Sequence, residues 1–146
     1  MELTRRQIRE KALQALYPFD FQQEITKEDA ISYALEIGNQ SLFDEETGMF
    51  IPEYLDQLVS GVIEHQAEID RKIEEHLKGW NIARVAKTDL IIMRIAIYEM
   101  LNEETPSRVA LNEAIELAKM YCDHKSPKFV NGVLSNVMNQ LDSEKE

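Results

Sequence analysis

The sequence has little of what most enzymes and secreted domains require. It contains one cysteine, Cys122, so no disulfide can close within the chain and a reducing, cytoplasmic setting is expected. Its five glycines, Gly38, Gly48, Gly61, Gly79 and Gly132, are scattered, a spacing that argues against a glycine-rich phosphate cradle. No apolar run is long enough to span a bilayer: residues 90–101 are the best candidate, and they include Arg94 and Glu99. No apolar stretch of signal-peptide length stands at the N-terminus, so a soluble protein with no membrane association is expected. Period-two alternation is missing too, and the Val, Ile and Thr clusters fall inside patterns of period 3.6, so no strand is expected.

Residues for metal or nucleophile chemistry are equally sparse. His65 and His76 share a helical face, but at 1.5 Å per residue they stand roughly 16 Å apart along an axis, too far to share an ion. Both read as surface histidines. Cys122, Asp123 and His124 are neighbours in sequence at a helix end, which does not make a nucleophile and a base converge. The central acids lie on polar faces, where solvation is the default. No catalytic residue, metal or cofactor is expected, and the chain reads as a non-enzyme.

What is present is helix and unevenly placed charge. The 146 residues, 44% of them hydrophobic, suffice for one domain with a core of its own. A formal net charge of −11 argues, taken whole, against nucleic acid. Its distribution argues otherwise. Residues 1–17 net +2, residues 18–77 net −12 and the remainder −1, so the positive character gathers at the N-terminus.

The first helix begins at Thr4, with Gln7 completing a capping box. It turns Ile8, Ala12, Ala15, Leu16 and Phe19 to one face, and Pro18 should kink or interrupt it near Tyr17. A second helix opens at Thr26, buries Ala30, Ile31, Ala34 and Leu35, and stops at Gly38; a polar, acidic loop follows to Phe50. From Pro52 a long helical run carries Leu55, Leu58, Val59, Val62, Ile63, Ile69, Ile73 and Leu77 toward Gly79, with a slip after Ile63 that predicts a bend or break. LIIMRIAIYEML is apolar nearly all round and must be surrounded by other helices; Thr88 and Asp89 precede it. The next helix starts at Thr105 and Pro106, or at Ser107, and presents Val109, Ala114, Leu117, Ala118 and Tyr121.

In SPKFVNGVL, residues 126–134, the Asn-Gly pair is a strong hairpin signal. The apolar spacing through Phe129, Val130, Val133, Leu134, Val137, Met138 and Leu141 is helical, however, and Ser126 and Pro127 supply an N-cap and a first-turn proline. Gly132 then sits inside a helix at a cost of roughly 1 kcal/mol against alanine. A missing side chain lets another backbone or a ligand come close: packing could bring this helix end beside Arg6 and Tyr17, and the plainer alternative is room for a neighbouring core side chain.

Arg5, Arg6 and Arg9 fall off the apolar stripe of the first helix, while Arg6, Glu10, Gln14 and Tyr17 descend another line at steps of four, four and three. That set offers guanidinium groups for phosphate, an amide for a base edge and a ring for stacking. A solvated basic face is the plainer alternative.

REKALQALY at 9–17, EIDRKIEEHLKGW at 68–80, TDLIIMRIAIYEML at 88–101, VALNEAIELAK at 109–119 and KFVNGVL at 128–134 together resemble the NusB family of bacterial transcription antitermination factors, in order along nearly the whole chain. The resemblance implies an all-α bundle of about six to seven helices in two helical subdomains, acting as a single RNA-binding domain over residues 1–146. It implies a non-enzymatic role: pairing with NusE, a small-subunit ribosomal protein, binding single-stranded boxA-type RNA of ribosomal RNA leaders and spacers, and joining an antitermination complex on RNA polymerase. It also leaves a homodimer open. By resemblance, Arg5, Arg6, Arg9, Gln14, Tyr17, Lys125, Lys128 and Phe129 are expected on the RNA side. Asp89 is expected where the partner protein and RNA come near each other. The rival expectation is a protein–protein adaptor whose basic first helix meets an acidic partner.

Overall fold

The computed structural model describes residues 3–21, 25–36, 43–44, 48–49, 52–102 and 104–144. Seven α-helices occur among them: α1 (Arg5–Phe21), α2 (Lys27–Glu36), α3 (Glu53–Glu64), α4 (Gln66–Glu74), α5 (Lys87–Asn102), α6 (Ser107–Tyr121) and α7 (Ser126–Glu144). The fold is all-α, as the periodicity implies. The acidic loop nevertheless holds a minimal antiparallel ladder, β1 (Phe43–Asp44) on β2 (Gly48–Met49), too short to leave an alternating pattern in the sequence. Gly38 and Phe50, and the side chain of Phe19, lie outside the described residues.

The chain divides into two units, Met1–Ile63 and Glu64–Glu146. In the first, α1 opens with the expected capping box: the Thr4 N–H donates to Gln7 Oε1 at 2.8 Å and the Gln7 N–H to Thr4 Oγ1 at 3.1 Å. The helix runs on through Pro18 to Phe21 without the interruption expected near Tyr17. Thr26 caps α2 by accepting from the Asp29 N–H at 3.1 Å, and Ala30, Ile31, Ala34 and Leu35 are buried. Lys27 Nζ reaches Ser60 Oγ at 2.8 Å and Asp56 Oδ1 at 3.3 Å, tying α2 to α3. The slip after Ile63 is a real break. His65 leaves helical geometry with φ −107° and ψ 15°, and α3 and α4 are separate helices on either side of it.

In the second unit α5 is enclosed nearly all round: apart from Tyr98, residues 89–100 are buried. It packs on α4, α6 and α7. Arg94, on this helix, is held bidentately by Asp70 of α4, Nε to Oδ1 at 2.8 Å and Nη2 to Oδ2 at 2.9 Å. The Thr105 hydroxyl donates to buried Glu99 at 3.2 Å, and α6 begins at Ser107 with Pro106 in the capping position. Its buried face is Ala110, Leu111, Ala114, Leu117 and Ala118. Val109 and Tyr121, expected on that face, are exposed because the buried arc is centred one residue further round. No described helix is long and apolar enough to cross a membrane.

Candidate functional site

The N-terminal candidates all stand on α1, in the first unit. Arg6 and Tyr17 are exposed and Gln14 is half-buried on the line that the spacing of four, four and three draws. Gln14 Oε1 accepts from Lys11 Nζ at 3.2 Å. Burial pushes the Lys11 amine below its ordinary pKa, against the raising effect of Glu10. Arg5 is exposed but engaged: its guanidinium carbon lies 3.6 Å from the centroid of the Tyr54 ring, a cation–π contact that fixes its plane. Arg9 departs from expectation. It is only 4% exposed, because positions 9, 13 and 16 form a line with steps of four and three, and Leu13 and Leu16 place that line in the core.

Asp89, Lys125, Lys128 and Phe129 belong to the second unit and cluster where α5 and α7 begin. Ser126 is not the cap of α7. Asp123 takes that role: its Oδ1 accepts from the Lys125 N–H at 2.8 Å and the Ser126 N–H at 3.2 Å. The N–H of Lys125, foremost among these donors, draws the Asp123 carboxyl below the usual carboxylate range. Ser126 is buried and its hydroxyl donates to Asp89 Oδ2 at 3.1 Å, joining the two helix starts, and reaches Asp123 Oδ1 at 3.4 Å. Asp89 is 7% exposed, and its Oδ1 is buried without a hydrogen-bond partner among the described residues. Burial, followed by the Asp89 carboxylate, pushes the Cys122 thiol up to about 12, so it is no nucleophile near neutral pH.

Two concavities flank Phe129. One, about 280 Å³, is edged by Arg84, Asp89, Asp123 and Lys125. The other, about 340 Å³, runs between the α4–α5 connection and α7, with Leu77, Lys78 and Trp80 on one side and Lys128, Phe129 and Gly132 on the other. Trp80 borders both and is 61% exposed. Gly132 is exposed, and a Cβ built on it would meet nothing within 4 Å. Among the described residues neither close helix packing nor a neighbouring core side chain accounts for it, and the helix presents bare backbone to the groove. The histidines are occupied separately. His65 stacks on Tyr98 with ring centroids 6.2 Å apart, and His76 Nε2 is 2.9 Å from Gln140 Oε1. No group of three or more His, Cys, Asp or Glu suited to a metal ion occurs among the described residues.

Lys125, Lys128 and Phe129 could be picked out by sequence because they are near neighbours in it. Trp80, Lys78 and Arg84 were missed as site residues, although Trp80 ends the EIDRKIEEHLKGW block and is the only tryptophan. The signal was an aromatic residue beside Gly79, at a helix end that no core demanded.

Residues 6–139 match the NusB family. A relative from Enterococcus faecalis named transcription antitermination protein NusB is 54% identical over 145 residues, covering 98% of this chain and 94% of that protein. A structure of T. maritima NusB superposes with a TM-score of 0.80 at 30% identity, over 96% of this chain and 94% of that one. A crystal structure of antitermination factors NusB and NusE in complex with dsRNA contains a chain similar at TM-score 0.76 and 27% identity, covering 93% of this chain and 96% of that chain.

Proposed function

The chain belongs to the NusB family, and from that membership we propose that it is a transcription antitermination factor that binds RNA together with NusE. We extend the reading to single-stranded boxA-type RNA of ribosomal RNA leaders and spacers, within an antitermination complex on RNA polymerase. Its work is recognition. Arg5 and Arg6 on α1, with Lys125 and Lys128 at the start of α7, contact phosphate; Gln14 offers its amide to a base edge; Tyr17 and Phe129 offer rings for stacking. Arg9, being buried, acts by holding α1 rather than by touching the strand. Asp89 stands at the start of α5, where partner protein and RNA approach each other.

The observation that carries this reading is local. In a chain of net charge −11, the larger concavity beside Phe129 is edged by two lysines and an exposed tryptophan, and among the described residues no carboxylate lines it. Positive potential with aromatic surface suits a single strand, which pairs phosphate attraction with base stacking.

Fluorescence anisotropy of a labelled boxA-type RNA, with and without NusE and across salt concentrations, tests the proposal. Affinity is expected to rise with NusE, fall steeply with salt and exceed that for a scrambled strand. Arg6→Glu should weaken RNA binding and leave NusE binding intact. Loss of NusE with RNA binding unaffected would instead favour the adaptor reading. Arg9 is unsuited to the same reversal, since a buried glutamate there disrupts α1 itself.

A further inference from the structure

Two residues bordering the 340 Å³ groove run against the preference of their own backbone. Gly132 occupies the body of a 19-residue helix, where a glycine weakens the local structure, and no described residue needs the space it leaves. Lys78 has φ +49°, in the left-handed region that ordinary side chains avoid, immediately before Gly79 at φ +89°. One position lacks a side chain that the helix would favour. The other keeps a long cationic side chain where glycine or asparagine would sit more easily. Local rules broken at two sides of one concavity, with no gain inside the fold, point to something outside it.

We propose that this groove seats an unpaired RNA base, stacked on Trp80 and flanked by Phe129, with its neighbouring phosphates drawn to Lys78 and Lys128. Gly132 lets the strand come against the bare backbone of α7. The proposal rests on the RNA-binding reading and adds Trp80, Lys78 and Gly132 to it. An RNA strand fits the groove better than an apolar protein segment, because two ammonium groups border it and no carboxylate lines it among the described residues. An apolar peptide would cover Lys78 and Lys128 without pairing them, whereas a ribose-phosphate strand pairs its anions with both while its base covers the rings.

Trp80 is the only tryptophan in the chain, so its emission reports on the surface that this groove shares with its neighbour. The full chain with NusE, whose own signal is subtracted, is titrated with single-stranded boxA-type RNA while anisotropy and tryptophan emission are recorded together. Quenching of Trp80 in step with binding is expected, with Trp80→Ala weakening affinity about tenfold. Two further variants separate recognition from folding. Gly132→Gln should raise the thermal midpoint by about 2–4 °C, yet weaken RNA binding by obstructing the groove. Lys78→Asn should keep the midpoint, since asparagine tolerates the left-handed backbone, yet lower the salt slope by about 1. Unchanged emission in a complex that anisotropy shows to be formed, with all three variants binding as wild type, would overturn the assignment and leave the RNA reading standing. If no RNA binds at all, the RNA reading itself fails. If NusE alone quenches Trp80 and RNA adds nothing, the groove takes protein and the inference is wrong.

Discussion

Arg94 shows how a single residue makes a core depend on polar precision. Its side chain is 6% exposed in the middle of a helix whose residues 90–97 are otherwise apolar, and both of its bonds to Asp70 are short. Asp70→Asn removes the charge while leaving the shape, so a buried guanidinium loses the carboxylate charge that holds it bidentately. Because Asp70 is 21% exposed and water relieves part of the loss, a cost near the lower end for broken buried pairs is expected, about 3 kcal/mol, read from the urea midpoint at constant slope. Arg9 teaches the complementary lesson about reading residues. An apolar stripe tells where the centre of a buried face lies but not how wide that face is. Ile8, Ala12 and Leu16 were enough to predict α1, while the burial of Arg9 depended on how far Leu13 extends the arc. Val109 and Tyr121 fell on the other side of the same uncertainty.

Helices were readable where the signals are local and mutually consistent. Thr4 with Gln7, Thr26 with its acidic first turn, and the break after Ile63 are written within a few residues, and the structure realises each of them. The start of α7 was misread because two good caps compete: Ser126 is adjacent to the helix, but Asp123 accepts two backbone N–H groups, while the serine hydroxyl makes its shorter bond to Asp89. This has a pH signature. The folded pKa of Asp123 is depressed, so the cap contributes stability that is fully present above the unfolded carboxylate value, about 3.9, and is lost as pH falls through the lower folded value. Thermal unfolding of wild type and Asp123→Asn across the acidic range should therefore show wild type ahead at neutral pH. The gap should shrink only below about pH 4.

At the level of the whole chain, class and family were readable because helical periodicity and five motif blocks extend over nearly all of it. The groove was not. Lys78 and Trp80 lie about fifty residues from Lys128 and Phe129, and only the packing of α4 and α5 against α7 brings the α4–α5 connection beside them. Charge counted over the sequence likewise hides where it is displayed: in a chain of net charge −11, the described lining of the larger groove holds two lysines and no carboxylate. The enclosure of α5 bears on a different property. A helix shut in on nearly every side cannot release its amide protons by fraying, so deuterium reaches the stretch from Ile91 to Ile97 only when the second unit opens as a body. Those amides should be the slowest in the unit to exchange, and in mass-resolved exchange their rate becomes a clock for global opening. Destabilised by Asp70→Asn, the clock should run faster by the factor that the urea midpoint implies.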